Sequence, residues 1–205
     1  VRAVGTGHSF NHIADTRAAT STAPGSQISV AALPKTIEID RSASTTTISA
    51  GLRYGELGAE LHTAGFALRN LGSLPHISVA GACATGTHGS GESNGSLASA
   101  VSGIEFVTAN GELLHWSRAD TGAVFPGAVV SLGCLGVVTK LTLDIVPTFE
   151  VSQYVYDNMP HRQLLENIDD VLGAAYTVSR FEHFLGNRIG QVWLKQRVKA
   201  ADTSP

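Results

Sequence analysis

Two stretches rich in glycine and small residues constrain this chain more than any other feature. The first, Gly5-Thr6-Gly7-His8-Ser9, follows a short apolar run, and the second occupies residues 72–95. The chain holds 22 glycines in 205 residues, where average usage of about 7% gives about 14. The excess falls in these two places. Clustered glycine marks backbone that turns sharply or lies directly against a ligand, because no Cβ stands in the way. A stretch as long as residues 74–95 with no clear period is functional rather than idle.

Around these stretches the sequence predicts regular elements. Residues 2–4 read as a strand ending in the glycine turn, and residues 16–27 as an Ala/Ser/Thr/Gly-rich loop. Residues 28–33, 37–39 and 45–50 are β-like, the last two forming a hairpin around residues 41–44. Tyr54, Leu57, Leu61 and Ala64 recur at helical spacing, with Gly65 as the cap. Asn110-Gly111, between β-like residues 104–109 and 112–116, predicts a two-residue type I′ hairpin. Residues 124–132 suit a short helix and residues 137–146 a strand. Pro147 marks a boundary. Beyond it the order is strand (150–156), helix (163–176), strand (177–184) and strand (191–197). Leu164, Ile168, Val171 and Ala175 share the buried face of that helix. A β-α-β-β order suggests the opening half of an α+β layer, whose second half is expected beyond Pro205. Val1 is no initiator methionine and residues 199–205 have polar loop composition, so the chain is expected to be a piece of a longer one.

Composition removes several function classes. With 43% hydrophobic and 15% charged residues, the chain is not a disordered one. Its net charge of −3 offers no basic field for a phosphate backbone, so nucleic acid is not an expected partner. No apolar run approaches the length of a membrane span. Cys83 and Cys134 are too few for a disulfide scaffold and read as small buried residues of a reducing compartment, which points to the cytoplasm.

The motifs each carry a functional and a bland reading. Gly5-x-Gly7 begins like a dinucleotide fingerprint but has Phe10 at the third glycine position. Bare amides and a hydroxyl in a tight turn still suit phosphate oxygens; the bland reading is a structural turn. Residues 78–89 form a second small-residue loop able to lie against a flat or anionic ligand, or else a flexible lid. His8 and His12 have metal-ligand spacing only on a helix, which the glycines oppose, so no metal is expected. Gly91-Glu92-Ser93-Asn94-Gly95 formally matches a nucleophile elbow, with Asp144 and His161 downstream, but poor strand material precedes it. The readings from outside redox chemistry are thus a serine hydrolase using Ser93 and a non-catalytic nucleotide-binding module.

Taken together, the motifs resemble one family. Residues 1–11 (Val-Arg-Ala-Val-Gly-Thr-Gly-His-Ser-Phe-Asn) are similar to the first flavin loop of the vanillyl-alcohol-oxidase class. Residues 71–91 (Leu-Gly-Ser-Leu-Pro-His-Ile-Ser-Val-Ala-Gly-Ala-Cys-Ala-Thr-Gly-Thr-His-Gly-Ser-Gly) look like the alditol (xylitol) oxidases and sugar-lactone oxidases. Residues 131–139 (Ser-Leu-Gly-Cys-Leu-Gly-Val-Val-Thr) resemble their third flavin segment, and residues 191–197 look like the start of the alditol oxidase substrate domain. The resemblance implies an α+β fold in which two α/β subdomains clasp FAD, here residues 1–146, followed by the beginning of a substrate domain at 147–205. It implies oxidation of a polyol CH–OH group with molecular oxygen as acceptor, or of a sugar lactone by an oxidase or dehydrogenase. The acid and base residues that act on substrate are expected outside this chain, so that 1–205 alone would be inactive.

Residue by residue, the resemblance places Val4, Gly5, Thr6, Gly7, His8 and Ser9 around the pyrophosphate and isoalloxazine, with His8 covalently bonded to the flavin 8α carbon. Ser73, Ser78, Gly81, Thr85, Gly86, Thr87 and His88 would line the flavin and diphosphate. Val138 would contribute backbone bonds at the adenine end. Gly72, beside Ser73, would leave oxygen a path to the flavin; the bland alternative is that it only permits a positive φ.

Overall fold

The computed structural model describes residues 1–16, 25–182 and 188–198. The chain divides into two units, residues 1–88 with 96–147, and residues 89–95 with 148–205. The strands of the first unit are β1 (Arg2–Val4), β2 (Gln27–Ser29), β3 (Ile37–Asp40), β4 (Thr45–Ser49), β5 (Phe66–Ala67), β6 (Val101–Val107), β7 (Leu113–Ser117), β8 (Val137–Asp144) and β9 (Val146–Pro147). Its helices are α1 (Tyr54–Thr63), α2 (Val79–Ala84), α3 (Arg118–Thr121) and α4 (Phe125–Val129). β1 and β2 pair in parallel. A five-stranded antiparallel sheet runs in the order β3-β4-β8-β6-β7.

Local chemistry sets these elements. In the β3–β4 hairpin Asp40 Oδ1 accepts from the Ser42 hydroxyl (2.6 Å) and from the amides of Ser42 (2.8 Å) and Ala43 (2.9 Å). Those bonds, the hydroxyl's foremost, hold the Asp40 carboxyl below its ordinary value. α1 begins where the Arg53 amide donates to the Glu56 carboxylate (3.0 Å) and ends at Thr63, with Ala64 as its cap and Gly65 turning the chain away at φ +84°. Its periodic face is the buried one, with Leu57 and Leu61 fully buried beside Ile48, Val79, Phe106, Leu141 and Leu143.

Several expectations are corrected. Residues 28–33 are not one strand: β2 stops at Ser29 and a 3-10 turn covers Val30–Ala32, started by the Ser29 hydroxyl, which accepts from the Ala31 amide. Residues 74–95 contain α2, whose run of small residues hid a helix with no apolar period to betray it. The Asn110-Gly111 turn is not type I′, because Asn110 keeps a negative φ and only Gly111 turns positive (+84°). The Gly111 amide donates to the Thr108 carbonyl (3.1 Å), and the Thr108 hydroxyl accepts from the Glu112 amide (3.2 Å), closing a longer loop. The short helix expected at 124–132 is confined to α4. Cys83 is buried as expected, but Cys134 is exposed.

The second unit contains β10 (Val151–Pro160), α5 (His161–Glu166), α6 (Ile168–Gly173), β11 (Thr177–Glu182) and β12 (Arg188–Arg197). The antiparallel sheet order is β10-β12-β11. The single helix expected over 163–176 is two: Asn167, at φ −130°, breaks it while its side chain donates to the Gln163 carbonyl (2.9 Å). The expected apolar face survives the break, with Leu164, Ile168, Val171 and Ala175 packed around Val178, Ile189 and Val192. Residues 183 and 184, expected at the end of β11, lie outside the described residues. Asn94, almost fully buried, joins residues 89–95 to this unit by donating to the Tyr176 carbonyl (3.0 Å).

Candidate cofactor site

Within the first unit three segments converge. The glycine turn after β1 meets the start of α2, where the Ser78 amide donates to Thr6 Oγ1 (3.1 Å). Gly5 makes that approach possible, since a Cβ there would overlap the Ser78 hydroxyl. The segment before β8 joins both. Arg2 Nη1 donates to the Leu132 carbonyl (3.2 Å), and the Leu132 amide donates to the Ala84 carbonyl (3.0 Å). Gly136, at φ +153°, lies so close to the Val107 carbonyl that any side chain would strike backbone.

The three segments enclose a cavity of about 790 Å³. Of the residues expected from sequence, Val4, Gly5, Thr6, Gly7, His8, Ser9, Ser78, Gly81, Thr85, Thr87 and Val138 line it. Ser73, Gly86 and His88 do not. Ser73 is exposed, Gly86 turns the chain out of α2 at φ +64°, and His88 bridges to Ser96. Gly72 has no positive φ, and an added Cβ would meet only Leu97 (3.7 Å) and Ile77 (4.0 Å), so the turn explanation for it fails. Arg2, Ser131, Leu132, Gly133 and Gly136 also line the cavity; sequence reasoning named their segments, 1–11 and 131–139, as flavin loops but singled out only Val4 to Ser9 and Val138 within them. The glycine spacing inside the third motif, Gly133 and Gly136, was the signal that could have singled out those residues.

The lining has a definite chemistry. Among the described residues it holds no carboxylate, one guanidinium (Arg2), several hydroxyls and bare peptide groups, together with apolar Val4, Val30, Leu74, Ile77 and Val138. Such a set suits a ligand with an anionic middle and flat, partly apolar ends. Cys83 takes no part. Its thiol faces the core at 3.7 Å from the Tyr54 hydroxyl, and burial pushes it up to about 11. Burial likewise raises the Tyr54 phenol.

The other motifs do not assemble. His8 and His12 lie in a loop, so no helical face brings them together; His12 sits 3.8 Å from Asp15. No strand precedes Ser93 and no helix follows it directly, while the Asp144 carboxylate pairs with Arg118 (3.0 Å). The serine hydrolase reading is therefore set aside.

A glycine turn after a parallel strand pair, clasped by a small-residue helix and enclosing a carboxylate-free cavity, defines a nucleotide-cofactor cradle. Residues 1–117 match the FAD binding domain family, and the chain belongs to that family. It is 46% identical over 194 residues to alditol oxidase from a Streptomyces species, covering 93% of this chain and 44% of that protein. It is 33% identical over 172 residues to bovine L-gulonolactone oxidase, covering 84% of this chain and 37% of that one. In three dimensions it resembles cholesterol oxidase from Brevibacterium sterolicum, with a TM-score of 0.82 at 17% identity over all of this chain and 41% of that one. The fold is thus the vanillyl-alcohol-oxidase type of FAD-binding fold. The chain spans well under half the length of these relatives. The residues present fit FAD: glycines stand where a Cβ would close the cradle, and among the described residues no lining carboxylate opposes a diphosphate.

Proposed function

We propose that this chain is the cofactor-holding part of an FAD-dependent oxidoreductase that oxidises the CH–OH group of a polyol such as xylitol or sorbitol, with oxygen as acceptor and hydrogen peroxide as product. The observation carrying the reading is a carboxylate-free FAD-domain cradle in a chain 46% identical to an alditol oxidase. Residues 1–146 are in this reading the FAD-binding domain, and residues 147–205 open the substrate domain. When bound, FAD supplies the flavin ring that takes up a hydride and returns electrons to oxygen.

The chain's own part is to hold and orient that group. The amides of Gly5, Gly7 and Gly81 and the hydroxyls of Thr6, Ser9, Ser78 and Thr87 would donate to the diphosphate and the polar edge of the flavin, while the Thr85 hydroxyl, which donates to the Gly81 carbonyl (3.1 Å), would fix the end of α2 beside them. Val4 would pack against the ring and Val138 would give backbone bonds at the adenine end. His8, which lines the cavity, would supply the imidazole nitrogen for a bond to the 8α carbon. The cytoplasm is the proposed location, since both Cys83 and Cys134 are unpaired.

Two measurements on the complete protein test this. Denatured and run on a gel, it is expected to give a fluorescent flavin band that His8→Ala abolishes; a band persisting in His8→Ala places the attachment elsewhere. Peroxide release is expected with xylitol or sorbitol. The 33% identity to L-gulonolactone oxidase supports a second reading, a sugar-1,4-lactone oxidase or dehydrogenase. Turnover of the lactone alone would select it.

A further inference from the structure

His76 stands outside every role assigned so far, yet its ring lies against that of His8, with centroids 4.6 Å apart and planes tilted by 59°. Both residues are exposed, so core packing does not force the contact. The backbone on each side of His76 is pinned to the first turn of α1. The Gly55 amide donates to the Pro75 carbonyl (2.7 Å), and the Tyr54 amide to the Ile77 carbonyl (3.1 Å). Two residues further on, the Ser78 amide donates to Thr6 Oγ1 (3.1 Å), and Thr6 is two residues before His8. The same bond that closes the cradle therefore sets one imidazole beside the other. At that centroid separation the two rings are in direct contact, which is the proximity a proton transfer between them requires.

We infer that His76 is the positioning and proton-accepting partner of His8 in covalent attachment of the flavin, an inference that rests on the His8 reading above. In that step a C–N bond forms between a His8 nitrogen and the 8α carbon, while one 8α C–H bond and the His8 N–H bond break. The N–H proton goes to His76 and the C–H proton to solvent. The two electrons left on the flavin pass to dioxygen, which leaves with two protons as hydrogen peroxide. An imidazole within reach of the nucleophile's N–H is the group such a step needs.

The test uses the complete protein with added FAD, reading total bound FAD by absorbance and covalent FAD by fluorescence of the denatured band. His76→Ala is expected to bind FAD as the parent does, to attach it at least tenfold more slowly, and to be rescued by added imidazole. His76→Phe keeps a ring against His8 without a proton acceptor and is expected to attach FAD as slowly as His76→Ala. Attachment at the parent rate in either variant overturns the inference, as does loss of FAD binding itself in both. A parent without covalent flavin, or a His8→Ala protein that still carries it, overturns the His8 reading and this inference with it.

Discussion

At Gly136 a single carbon atom decides whether the third segment can reach the cradle. A Cβ there would strike the Val107 carbonyl, which belongs to a paired strand and cannot withdraw. Gly136→Ala is expected to cost about 2–4 kcal/mol, from overpacking and an unfavourable φ together, and to lower FAD content. Gly72→Ala is the contrast: its φ is ordinary and its neighbours stand at 3.7 and 4.0 Å, so stability is expected to stay within about 0.5 kcal/mol. Denaturant titration of the two variants checks this, and equal losses would refute the geometry. Because Gly72→Ala stays folded, slower flavin reoxidation by oxygen in that variant would report oxygen access, and unchanged reoxidation would remove that role.

At the level of elements, Glu105 ties neighbouring strands of the five-stranded sheet. Its side chain, 13% exposed, accepts from Thr139 Oγ1 (2.6 Å) and Lys140 Nζ (3.3 Å) and lies 3.5 Å from His115 Nδ1. Burial alone would raise the carboxyl, but the Thr139 and Lys140 bonds and the nearby charges outweigh it and hold the carboxyl below its ordinary value. A depressed folded value means the stabilisation is complete above the unfolded glutamate value of about 4.3 and is lost as pH falls through the folded one. Glu105→Gln is therefore expected to lower stability near neutrality and to flatten its decline below about pH 4.3. Denaturation midpoints across that range decide it; parallel curves for variant and parent would show that Glu105 carries no such linkage.

Across the whole molecule, the cavity is built wholly from the first unit, while the chain spans 44% of the length of the alditol oxidase it resembles. Holding a cofactor and stabilising a transition state are separate tasks, and the second needs a complete substrate pocket. Residues 1–205 expressed alone are expected to release no peroxide from xylitol or sorbitol above a flavin blank. Turnover by that chain would mean that the groups acting on substrate lie within it.

Sequence alone determined the local elements with strong periodic or turn chemistry: the α1 face of Leu57 and Leu61, the β3–β4 hairpin, the apolar face shared by Leu164 and Ile168, and the glycine turn at Gly5. These depend on neighbours within a few residues, so their cause is written in the chain next to their effect. Tertiary structure decided what depends on distant partners. Helix α2 has no period of its own and is seen only when Val79 and Cys83 are packed into the core. Arg2 joins the site through a carbonyl 130 residues away. The contact of His8 with His76 exists because the Thr6–Ser78 bond closes a loop of 72 residues. Long-range closures of this kind are set by the summed burial and hydrogen bonding of the whole unit, which no local stretch of sequence encodes.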